Sequence, residues 1–81
     1  DYEEAVERLL PVLTKDHKGD CHRVFTEAAF ERFKTDTYSG KRYLQYAIDG
    51  WEWLCNHNPT NRDYQKQYEL CRKVYHRCYS K

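Results

Sequence analysis

The sequence predicts an all-α domain, built as a compact bundle of four short helices. Apolar residues recur at steps of three and four along the chain, and no segment alternates in the manner of a β-strand. Short polar breaks that contain Gly, Pro, Asn or Asp separate the helical segments. Because residues 1–81 are too few for two independent hydrophobic cores, we expect one domain over the whole chain.

The first helix is predicted from about Tyr2 to Lys15, with acidic residues that favour its N-terminal turn. Pro11 lies inside this segment and removes a backbone hydrogen bond, so we expect a kink or an early end there. The second helix is predicted from about Cys21 to Lys34. Gly19 ends the preceding break, and Asp20 is the candidate N-cap.

The third helix is predicted from about Lys41 to Asn56 and is apolar on two sides. We therefore expect it to lie between neighbouring helices, with a close approach at Gly50. Thr60 or Asn61 is expected to cap the fourth helix, which extends to about Tyr79.

An aromatic and cysteine row follows the last helix at steps of four, three, four and three. The row consists of Tyr64, Tyr68, Cys71, Tyr75 and Cys78. Residues at this spacing share one face of a helix, so we expect the row to pack against the rest of the chain. Two of the four cysteines would then face inward.

The four cysteines, Cys21, Cys55, Cys71 and Cys78, predict two disulfides, because their number is even and the chain is small and lacks Met. Cys71 and Cys78 are about 10 Å apart along one helix, beyond the roughly 7 Å limit for a bridge. Bridges to Cys21 and Cys55 are expected, with the connectivity open; a Cys21–Cys55 pair is the competing arrangement. Each bridge would contribute about 2–4 kcal/mol. Disulfides favour a secreted protein cut from a precursor, and free thiols favour a module of a larger protein.

Two segments resemble the tetratricopeptide repeat, a family of helical hairpins. Residues 1–6 (Asp-Tyr-Glu-Glu-Ala-Val) resemble the opening of the repeat's second helix. Ala47-Ile48, Trp51 and Asn58-Pro59-Thr60-Asn61 fall where a repeat places its small residue, its aromatic residue and its closing proline. The last helix is similar to the solvating helix that ends such arrays. The resemblance implies a peptide-binding module without catalysis, belonging to a larger protein of the endoplasmic reticulum or the cytoplasm.

Other chemistries find little support in the sequence. Cys55-x-His57 and His76-x-Cys78 are metal-ligand types, but residues two apart on a helix diverge by about 200°, so we expect no metal or other cofactor. Nucleophile and phosphate-loop motifs are lacking, so we expect no enzyme. The net charge of +1 argues against nucleic-acid binding, and no apolar run is long enough for membrane insertion. His17 and His22 are expected at polar helix ends, and the sequence shows no partner for them.

Charge is distributed unevenly between the two ends of the chain. Residues 1–20 contain six acids and three bases, whereas residues 61–81 contain six bases and two acids. A fold that places the two ends side by side would largely cancel these fields.

The best functional signal is a surplus of Tyr and Trp combined with basic residues, which are common anchors of protein interfaces. The residues expected to be partly exposed are Tyr38, Tyr43, Tyr46, Trp53 and Tyr79. The candidates for protein binding are Arg72, Lys73, His76 and Arg77 on the last helix, with Trp53 and Tyr46 as additions. We therefore expect a secreted, non-enzymatic binding or effector domain whose partner is another protein or a peptide.

Overall fold

A computed structural model describes residues 1–79, which form an all-α domain of four helices with no strand in that range. The elements are α1 (Tyr2–Leu9), a 3₁₀ segment (Leu10–Lys15), α2 (Asp20–Thr35), α3 (Lys41–His57) and α4 (Arg62–Tyr79). The predicted fold class is thus confirmed. Ser80 and Lys81, which belong to the predicted domain and to its basic end, lie outside the described residues. Within residues 1–79, no helix is both long and apolar enough to cross a membrane.

Local caps explain where the helices begin and end. The Asp1 carboxylate accepts the backbone N–H of Glu3 at 2.9 Å and starts α1. As expected from Pro11, α1 ends early, and the chain continues as a 3₁₀ segment with the proline in its first turn. Asn61 caps α4, since its side-chain oxygen accepts the Tyr64 N–H at 3.0 Å.

The start of α2 differs from the prediction, because Asp20 lies inside the helix and does not cap it. Gly19 precedes the helix with φ = +96°, a conformation that L-residues with a side chain rarely adopt. The cap is Asp16, whose carboxylate accepts the N–H of Gly19 at 3.0 Å and of His22 at 2.9 Å. Asp16, the residue that follows the 3₁₀ segment, therefore accepts hydrogen bonds from free backbone N–H groups at the start of α2.

The helices pack in chain order. Helix α3 packs against both α2 and α4, which confirms its predicted place between neighbours, and α1 packs against α2. Across residues 1–79, α1 does not pack against α4, and the domain measures 34 × 28 × 16 Å. The acidic and basic ends of the chain therefore lie on different helices that do not touch, and their fields are not cancelled.

The interface between α2 and α3 contains most of the core. Its buried side chains are Phe25, Ala28, Ala29, Phe33, Tyr43, Leu44, Ala47, Trp51 and Leu54. Small residues allow the two helices to approach closely. At Gly50 a Cβ atom would overlap the Thr26 Oγ1, so the predicted close approach is confirmed and requires glycine.

A polar network joins α1 to this interface through Tyr43, which is only 2% exposed although the sequence placed it among the partly exposed aromatics. The Tyr43 hydroxyl donates to Glu3 Oε1 at 2.8 Å, and the Arg32 guanidinium donates to the same oxygen at 3.2 Å. These two partners, Tyr43 first, hold the pKa of Glu3 below its usual value. The guanidinium also lies over the Tyr43 ring, 4.5 Å from its centroid.

The predicted disulfides are not found. Cys21, Cys55, Cys71 and Cys78 are all free thiols, and none lies at disulfide distance from another. The packing order gives the reason, because α2 and α4 do not pack together, so Cys71 and Cys78 cannot reach Cys21. Cys78 is exposed, which also contradicts its predicted inward position, whereas Cys71 is buried as expected. Apolar and aromatic packing therefore holds the helices together without sulfur bridges.

Candidate protein-binding surface

The outer side of α4 brings four of the predicted binding residues together. Arg72, Lys73, His76 and Arg77 line one shallow groove with a volume of about 490 Å³, and Glu69 completes its wall. All five side chains are exposed and belong to consecutive turns of one helix. We call this surface the outer groove.

The groove lies within a longer basic face. This face consists of Arg62, Lys66, Arg72, Lys73 and Arg77, all of them exposed. The four ion pairs found within residues 1–79 join side chains of α1, α2 and the loop between them, and none includes a residue of the basic face. The only acid in the outer groove is Glu69, so the surface has an excess of positive charge directed to solvent.

The opposite side of α4 attaches the helix to α3. The Trp51 ring contacts the Tyr64 ring at a centroid distance of 5.7 Å, and Cys71 is buried beside Trp51. Burial raises the pKa of the Cys71 thiol to about 11, against the opposing effect of a contact with the Trp51 side chain, so the thiol stays protonated. Tyr64, Tyr68 and Tyr75 are half-buried against the core, as the row on this helix predicts.

Tyr46 and Trp53, the other two predicted binding residues, belong to a different surface. They line a cavity of about 240 Å³ on the side of α3 that faces α2 and the 3₁₀ segment; the remaining lining residues are Leu10, Leu13, His22, Phe25, Asp49 and Gly50. Tyr46 contacts Phe25 with ring centroids 5.6 Å apart. The structure thus separates the predicted binding residues into two groups, of which only the α4 group forms a charged surface.

Trp53 is the centre of a stacked cluster that the sequence did not reveal. The His22 and His57 rings each lie 3.7 Å from the Trp53 ring, nearly parallel to it. His22 is buried, and its Nδ1 is 2.7 Å from Asp16 Oδ2. His22 lies at a helix end as expected, and it has a partner that the sequence did not show, because the loop before α2 returns Asp16 to the helix start.

Burial and hydrogen bonding have opposite effects on the pKa of Asp16. Burial alone would raise its pKa, but hydrogen bonds from the backbone and ring of His22, with that from Gly19, hold the pKa below its usual value. The spacing Asp16-x-x-Gly19-x-x-His22 is the signal that could have indicated this arrangement. The pair joins the loop to the first turn of α2, which is a structural role.

The potential metal ligands in residues 1–79 do not form a cluster. No three His, Cys, Asp or Glu side chains of that range come together in a way that would hold an ion. The pKa of the Cys55 thiol is raised by burial and, to a lesser degree, by Glu69.

The comparisons with known proteins identify no relative that would assign a role to these surfaces. No family model matches the chain, and no curated protein or solved structure is significantly similar to it. The likeness to tetratricopeptide repeats remains a prediction from the sequence. The functional argument therefore depends on the geometry of the chain itself.

Proposed function

We propose that this chain is a non-enzymatic protein-binding domain that presents the basic face of α4 to an acidic segment of another protein. The observation that supports the proposal is the row of five exposed basic side chains with no ion-pair partner within residues 1–79. Arg with neighbouring aromatic residues is the composition of many interface anchors.

The residues of the basic face are exposed, and α4 is attached to the core through the aromatic and apolar residues of its opposite side. Two of its pairs, Arg62 with Lys66 and Lys73 with Arg77, have the i,i+4 spacing at which like charges destabilise a helix by about 0.2–0.5 kcal/mol. A helix face whose only role is to be solvated gains nothing from this repulsion between like charges. An acidic partner would relieve the repulsion and would be steered towards the groove by the field.

The cellular location is a separate part of the proposal. The predicted secretion depended on two disulfides, and the free thiols of the structure are what a reducing compartment maintains. Secretion stays a prediction, with a module of a larger cytoplasmic or endoplasmic-reticulum protein as the alternative. The test is the intact mass of the native protein, measured with and without thiol alkylation under denaturing conditions. Alkylation at four cysteines would show four free thiols, and no alkylation would show two disulfides.

A peptide selection tests the binding function. Random peptides displayed on phage are selected on the folded domain, and the affinities of the enriched peptides are measured by fluorescence anisotropy. We expect acidic peptides whose affinity falls at least about tenfold in the double variant Lys73→Glu/Arg77→Glu and weakens with salt.

The matched control is Lys15→Glu/Lys18→Glu, which makes the same charge change at two exposed lysines beside the 3₁₀ segment. Equal losses in both double variants would show attraction to net charge alone and would overturn the proposal. So would selected peptides without an excess of acids.

A second candidate is peptide binding in the manner that the repeat resemblance implies. The helices pack mainly against their chain neighbours, as in helical-repeat proteins, and a groove of about 230 Å³ remains between α2 and α4. Its lining includes Glu27 and Glu31 together with Trp51. This groove suits a basic peptide, so the sign of charge in the selected peptides separates the two candidates.

A further inference from the structure

A second, smaller cleft adjoins the outer groove at the interface of α3 and α4. It has a volume of about 240 Å³ and is lined by Gln45, Ile48, Arg72, Tyr75 and His76. Arg72 and His76 line the outer groove as well, so the two depressions are continuous. We infer that this cleft binds the carboxylate side chain of a glutamate in the acidic partner, an inference that rests on the proposed function.

An aromatic ring holds the arginine of the cleft. The Arg72 guanidinium carbon lies 5.5 Å from the Tyr68 ring centroid. Arg72 has no carboxylate within ion-pair distance in residues 1–79. Because the ring restricts the Arg72 side chain, less conformational entropy is lost when an anion binds to it.

The walls and the size of the cleft define the ligand further. Ile48 and Tyr75 provide apolar surface that methylene groups can contact, whereas Arg72 offers a planar fork of donors that matches a carboxylate. A volume of about 240 Å³ is enough for one side chain of a peptide whose backbone lies in the adjoining outer groove. An anionic side chain with an aliphatic stem fits both features, and glutamate has this composition.

The apolar walls favour a glutamate side chain over a free phosphate, which has no aliphatic stem to contact Ile48 and Tyr75. Among the lining residues, Gln45 already donates one side-chain N–H to Asp49 at 2.9 Å. Arg72, with its planar set of donors, is therefore the principal group for an anion.

Titration of the intact domain with N-acetylglutamate α-amide, followed by NMR, tests the inference. We expect saturable shifts of the Arg72 Nε–H, the Ile48 methyl groups and Tyr75. N-acetylglutamine α-amide is the neutral control and should shift none of them. Arg72→Lys keeps the charge but removes the fork and should weaken binding roughly fivefold. Arg62→Lys makes the same change at the other end of α4 and should leave binding unchanged.

The outcomes separate this inference from the proposed function. Unsaturable shifts, or equal effects of Arg72→Lys and Arg62→Lys, would overturn the cleft, whatever the selected peptides do. Tighter binding of inorganic phosphate than of the glutamate probe would overturn the choice of carboxylate. Saturable binding at Arg72, combined with peptides insensitive to Lys73→Glu/Arg77→Glu, would leave the cleft established and remove the proposed function.

Discussion

The two interfaces of α3 differ in how they are built. Towards α2, the interface consists of fully buried aliphatic and aromatic side chains with small residues at the closest approach. Towards α4, the partner helix contributes one fully buried residue, Cys71, and a set of half-buried tyrosines. The first interface supplies most of the folding free energy, and the second positions a helix whose outer side is available to a partner. Substitutions at matched positions should therefore have unequal effects on stability.

The largest expected difference lies between two leucines. Leu44 of α3 is 0% exposed in the core, so Leu44→Ala should lower the free energy of unfolding by about 3 kcal/mol. Leu70 on α4 is 46% exposed, and Leu70→Ala should cost no more than about 0.5 kcal/mol. Urea titrations followed by circular dichroism measure both values. Similar losses in the two variants would contradict the contrast between the interfaces.

The sign of the stability change in Gly50→Ala is a further test of the α2–α3 interface. At an open helical position this change should stabilise by about 1 kcal/mol, but here the new methyl group meets Thr26 and should destabilise by about 2 kcal/mol. Adding Thr26→Ala removes the obstructing oxygen and should restore part of the loss. Thermal melts of the single and double variants provide the measurement, and a stabilised Gly50→Ala protein would refute the close approach.

The cap that Asp16 forms at the start of α2 predicts that the stability of the domain depends on pH. Because the folded-state pKa of Asp16 is lowered, its contribution to stability is present above the unfolded-state pKa, about 4, and disappears as the pH falls through the folded-state pKa. Asp16→Asn should cost about 1 kcal/mol near neutral pH. The gap from the wild type should narrow in acid.

Urea midpoints measured from neutral pH to about pH 3 would show this convergence. Asp63→Asn is the control on α4, where the exposed side chain accepts no hydrogen bond within residues 1–79. A constant gap between Asp16→Asn and wild type across the range would mean that the carboxylate charge has no role in the cap.

The smallest expected difference concerns two tyrosine hydroxyls. Tyr43 donates to Glu3 from a buried position, and Tyr43→Phe should cost about 1 kcal/mol. Tyr68 donates to Glu52 at 3.3 Å on the surface, and Tyr68→Phe should change the free energy of unfolding very little. Chemical denaturation of the two variants gives the comparison. A larger loss for Tyr68→Phe would reverse the assignment of roles to the two interfaces.

Local sequence signals predicted the helices well, since caps and breakers act within a few residues. Pro11 ended α1, Asn61 capped α4, and the two-sided apolar pattern of α3 indicated its position between neighbours. The outward side of α4 followed from the same periodicity, which is why Arg72 and Lys73 were identified from the sequence. Whether they bind a partner remains a prediction.

Features that depend on which helices meet could not be predicted in this way. The expected disulfides required α4 to reach α2, but the packing order prevents this contact. Trp53 was assigned to a binding surface because periodicity placed it away from the main apolar face, whereas the start of α2 covers it with His22. Such errors arise because the spacing of residues along one helix does not specify which other helix packs against it.

The packing of the helices mainly against their chain neighbours has a kinetic consequence. Contacts that join nearby segments close short loops, so the domain should fold within microseconds to milliseconds, as other proteins of low contact order do.

Helix α4 is joined to the rest of the domain through one interface and through a hydrogen bond from the Tyr79 hydroxyl to the Thr37 carbonyl. It can therefore open as a unit while α1 to α3 stay folded. Amide hydrogens of α4 should then exchange with solvent sooner than those of α3.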